Sequence, residues 1–76
     1  MQCTYEVIEN LYKNGEKIRI AFGIAAIESV NKTVLESYPD LSINFDLVEN
    51  LVNTCNRLEL SIIHLRDVVE DFLAVT

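Results

Sequence analysis

The stretch 44–76 constrains the chain most. Its apolar residues fall at Val48, Leu51, Cys55, Leu58, Ile62, Leu65, Val69 and Phe72, in steps that alternate three and four. That is the seam of a helix built to lie along another helix. No Gly or Pro interrupts it, so the spacing predicts one rod of about 32 residues, roughly 48 Å long. Such a rod needs cover from the rest of the chain or from another subunit.

Upstream, Thr4 is placed to cap a short helix over 5–13, with Tyr5, Ile8, Leu11 and Tyr12 on one face. Asn14-Gly15 ends it. A rival reading exists, because Asn-Gly is also a strong hairpin signal and Ile18, Ile20, Phe22 and Ile24 alternate after it. Glu9-Asn10 and the small residues Ala21, Gly23, Ala25 and Ala26 weigh against strands. A second helical seam runs over 16–38 through Ile20, Ile24, Ile27, Asn31, Val34 and Tyr38, with Asn31 as a polar register-setting member. Ser37-Tyr38-Pro39-Asp40 is the clear break, after which Ser42 or Asn44 is suited to cap the long helix.

The expected fold is therefore all-α: a long antiparallel helical hairpin plus a short N-terminal helix, one small domain over 1–76. Its bundle is completed by homo-oligomerisation, a C2 dimer being the commonest route. The alternative is an N-terminal β-hairpin followed by helices. A chain this short buries only about 60% of its unfolded surface. Half of its residues are hydrophobic and its mean hydropathy is positive, so the apolar excess is expected in an interface. No apolar run approaches the length of a membrane span, and no basic segment precedes one as in a secretory signal. The two cysteines, Cys3 and Cys55, read as reduced thiols of a cytoplasmic protein.

Six basic side chains against twelve acidic ones give a net charge of −6. This opposes direct binding to nucleic acid or to an anionic membrane and suits a partner with a basic surface. The only basic concentration is Lys13, Lys17 and Arg19 beside Tyr12. These residues, with freed amides at the start of the second helix, form a candidate site for a nucleotide or phosphorylated metabolite. On the long helix, Leu60 and Ile63 face away from the seam and are bordered by Arg57, His64 and Asp67. Together with Glu70 and Asp71 they form a candidate partner interface.

Ser61, His64 and Asp67 mimic a hydrolase triad, but steps of three fan them around a helix and nothing supplies an oxyanion hole. His64, Asp67 and Asp71 offer too few ligands on one exposed helix for a metal site, and the cysteines form no CxxC pair. No enzyme, metal or cofactor is expected. The size and charge resemble those of short acidic helical proteins of bacteria and phages that inhibit or chaperone a larger partner, without a shared motif. The leading expectation is a non-enzymatic acidic interaction protein that self-associates and binds or inhibits a larger protein. The alternative is a small-ligand binding or sequestering protein with its site at an oligomer interface.

Overall fold

Asn14-Gly15 turns a β-hairpin instead of ending a helix. In the computed structural model, which describes residues 3–75, β1 (Cys3–Asn14) and β2 (Lys17–Glu28) pair antiparallel. Their register holds without a slip from Cys3/Glu28 to Asn14/Lys17. The two-residue loop is Gly15-Glu16, and within it the positive φ of +66° falls on Gly15. Gly at the first loop position is the type II′ arrangement, whose twist matches that of the flanking strands. β3 (Val34–Ser42) pairs with the other side of β2, giving a three-stranded sheet in the order β1-β2-β3. The expected helices over 5–13 and 16–38 are thus replaced by strands, and the all-α fold is corrected to a sheet followed by two short helices. The N-terminal β-hairpin alternative fits.

Periodicity explains the outcome. As a helix, Ile18, Ile20, Phe22 and Ile24 would scatter around the axis. As a strand they share one face, the face on which the helices lie. The small residues that argued against a strand lie mostly on the opposite face and admit close backbone approach. There β3 bulges between its pairings Phe22/Ser42 and Ile24/Tyr38. A Cβ on Gly23 would come within 2.6 Å of Pro39 Cα and press into the Tyr38 carbonyl oxygen. Asn10 Nδ2 donates to the Pro39 carbonyl at 3.1 Å and ties the bulge to β1. Asn31, expected as a seam residue, sits in the β2–β3 turn, where its amide donates to the Glu28 carboxylate at 2.7 Å.

The rod over 44–76 is also divided. Asn44 caps α1 (Phe45–Arg57), its side-chain oxygen accepting from the amides of Asp46 and Leu47. The helix stops because Glu59 takes a left-handed conformation with φ 49°. Glu59 N donates to Asn56 O at 3.1 Å and Leu60 N to Cys55 O at 3.0 Å. Those two bonds are a Schellman ending with Glu where Gly is usual. A 3-10 turn (Ile62–His64) then leads into α2 (Leu65–Val75). Thr76, the end of the expected rod, lies outside the described residues. Breaking the rod lets both halves of its seam reach one core, and the described residues form no helical bundle or coiled coil. Val48, Cys55, Leu65 and Val69 are buried with Tyr5, Ile24, Ala26, Leu41 and Val52, while Leu58 points outward. Among the described residues, no helix is long and apolar enough to cross a membrane.

Candidate functional site

The helices cover only part of the sheet. β3 pairs with β2 no further toward the hairpin tip than Phe22. α1 begins at Phe45, whose ring meets that of Phe22 edge-on with centroids 5.3 Å apart. Beyond this contact the hairpin continues as a two-stranded ribbon, and residues 11–20 are all exposed. The protein accordingly measures 43 × 30 × 17 Å.

Alternation gives the ribbon two unlike faces. On the helix side, Leu11 stands opposite Ile20 and Lys13 opposite Ile18. Leu11 is 66%, Ile18 67% and Ile20 43% exposed. On the other side, Tyr12 faces Arg19 and Asn14 faces Lys17. The ribbon therefore carries Leu11, Ile18 and Ile20 with Lys13 on one face, and Lys17 and Arg19 with the Tyr12 ring on the other.

Its free edge is defined by one side chain. The Tyr5 amide donates to Asn56 Oδ1 at 2.8 Å, and Asn56 Nδ2 donates to the Tyr5 carbonyl at 2.8 Å. Both backbone groups of Tyr5 therefore point away from β2. Because backbone direction alternates along a strand and the β1–β2 register has no slip, those of Val7, Glu9, Leu11 and Lys13 point the same way. Among the described residues no hydrogen bond reaches that outward row beyond Tyr5. The opposite edge of the sheet is less available, since β3 contains Pro39 and a bulge, both of which blunt edge pairing.

The four residues expected to hold an anion are divided by this geometry. Tyr12 and Arg19 line a groove of about 310 Å³ with Asn14, Ile20, Ala21, Asp40 and Ile43. Lys17 lies on the same face and Lys13 on the other. No helix begins at residue 16, so the expected freed amides are absent from this place, and Asp40 brings a carboxylate into the groove.

The expected partner interface is spread over several elements. Arg57 ends α1, and Leu60 is half-buried against the core with its carbonyl accepting from the Tyr5 hydroxyl at 2.7 Å. Ile63, 77% exposed, and His64 sit in the 3-10 turn. Asp67, Glu70 and Asp71 are exposed on α2, where Glu70 pairs with Arg66 at 3.1 Å. Ser61 precedes the 3-10 turn and shares no helix with Asp67.

A second cavity, of about 480 Å³, lies between the start of β1 and the end of α1 and is lined by Cys3, Cys55, Asn56 and Ser61 among others. Both thiols are free. Burial pushes the Cys55 thiol up, which leaves it protonated and unreactive at neutral pH. Burial, and next the neighbouring Cys3, push the Tyr5 phenol up as well.

The ribbon's apolar face and open edge were absent from the sequence-based site. The alternation after Asn14-Gly15 was the signal that could have located them. Residues 1–75 match the model of a family of unknown function (DUF6514), and the chain belongs to that family. No curated protein and no solved structure matches it.

Proposed function

We propose that this member of the family is a non-enzymatic, cytoplasmic interaction protein that self-associates and binds a larger protein, with the projecting hairpin as its contact surface. The supporting observation is the coincidence of an unpaired β1 edge with exposed Leu11, Ile18 and Ile20. An open edge supplies main-chain hydrogen bonds and the side chains beside it supply apolar contact, the two ingredients of strand addition. Fully burying one such side chain is worth about 1.5–3 kcal/mol. The net charge of −6, with Asp67, Glu70 and Asp71 exposed on α2, favours a partner with a basic surface. The free thiols of Cys3 and Cys55 suit a reducing compartment.

The test is sedimentation velocity over a range of concentrations, comparing the native chain with Leu11→Pro. The Leu11 amide points away from β2, so proline removes an outward donor without breaking the hairpin ladder. A concentration-dependent oligomer that Leu11→Pro reduces to a folded monomer is expected. A native chain that stays monomeric throughout overturns the proposal. A second reading, binding of a small anionic ligand, rests on the groove that joins Tyr12 and Arg19. Titration of nucleotides against the native chain and Arg19→Glu discriminates it, because saturable binding lost in the variant would move the function to that groove.

A further inference from the structure

We infer that the occupant of the β1 edge is a second copy of the chain, paired antiparallel about a two-fold axis at Leu11. The inference rests on the self-association proposed above and specifies its register. In an antiparallel pair related by a two-fold axis, each residue meets the one at the mirrored distance from the axis. With the axis at Leu11, Leu11 meets the partner's Leu11, and Glu9 meets the partner's Lys13. The symmetry repeats the second pair, so each dimer holds two such contacts between opposite charges. Glu9, Leu11 and Lys13 all have outward-pointing backbone groups and side chains on the helix side, so hydrogen bonds and side-chain contacts coincide.

Neighbouring registers fit less well. An axis at Glu9 sets the two Glu9 carboxylates against each other and brings the partner's Lys13 onto Tyr5, whose edge Asn56 already occupies. An axis at Asn10 sets Glu9 against Leu11 and Val7 against Lys13. An axis at Tyr12 shortens the paired segment, since β1 ends at Asn14. At Leu11 the pairing extends from Val7 to the turn and stops before Tyr5, so the Asn56 clasp stays in place. The axis is perpendicular to the sheet, which puts both helical layers on one side. Between them runs a row of Ile20, Leu11, the partner's Leu11 and the partner's Ile20. The charge pattern, the blocked end and the apolar row all select the same partner, another copy of this chain.

The experiment is a charge exchange read as the dimer Kd by sedimentation equilibrium, with circular dichroism checking that each variant keeps the native fold. Glu9→Lys and Lys13→Glu each place two like-charge pairs in the dimer and should raise Kd by about tenfold or more. The double variant Glu9→Lys/Lys13→Glu restores both pairs and should return Kd to within about threefold of the native value. A dimer whose Kd is indifferent to the single changes, or is not rescued by the double one, overturns this register and leaves self-association standing. A native chain without a dimer overturns the underlying proposal as well.

Discussion

The Asn56 carboxamide binds both backbone groups of Tyr5, accepting from its amide and donating to its carbonyl at 2.8 Å each. A side chain from the last turn of α1 thus occupies the place of one residue of a neighbouring strand. It fastens the helical layer to β1 and ends the open edge at Tyr5.

Asn56→Ala removes both bonds and leaves a part-buried amide and carbonyl unpaired. A loss of about 1–3 kcal/mol in unfolding free energy is expected, measured by urea denaturation. The Tyr5 hydroxyl still holds the Leu60 carbonyl, so the variant should remain folded.

Gly23→Ala tests the bulge over the sheet's outer face. The added methyl meets the backbone of Tyr38 and Pro39, which cannot rotate away as a side chain would. A destabilisation of about 1–3 kcal/mol is expected from overpacking, seen as a lower thermal midpoint. An unchanged midpoint would mean that β3 shifts freely at this point.

Glu59→Gly should act in the opposite direction. Glu59 holds φ 49°, a conformation that costs roughly 1–2 kcal/mol for a residue with a Cβ. Glycine removes that strain at some cost in unfolded-chain entropy, so the net gain should reach up to about 1 kcal/mol in urea denaturation.

Alkaline pH should weaken the fold through Cys55 and Tyr5, whose pKa values burial pushes up. A thiol or phenol with a raised folded pKa keeps its proton longer in the native state. Its contribution is complete below the unfolded pKa and is lost as pH rises through the folded one. The contribution of these two groups to unfolding free energy should thus be level below the ordinary thiol value of about 8.5 and fall above it. Cys55→Ala should flatten the first part of that fall.

The sequence disclosed the parts governed by local chemistry. The cap at Asn44 and the buried seam members Val48, Cys55, Leu65 and Val69 were all legible. The break at Glu59 was not, because it uses a left-handed residue other than Gly, and what favours it is a core that gathers both helices. Pro39 pointed to a chain break but occurs inside β3, where a bulge accepts it. Residues 16–38 fit helical spacing through Ile20, Ile24 and Ile27 and strand spacing through Ile18, Ile20, Phe22 and Ile24. Packing of α1 across the sheet decides that ambiguity, and it is a tertiary effect. The ribbon followed the same rule: its alternation was visible, but its exposure depends on where α1 begins.

Pairing of the β1 edge with a second copy is tested most directly by amide hydrogen exchange followed by NMR at rising protein concentration. Ile8, Asn10 and Tyr12 bond inward to β2 and should be protected at every concentration. Glu9, Leu11 and Lys13 should exchange rapidly in dilute solution and become protected as the dimer forms. Rapid exchange at those three amides under conditions where the chain is dimeric would contradict pairing through this edge.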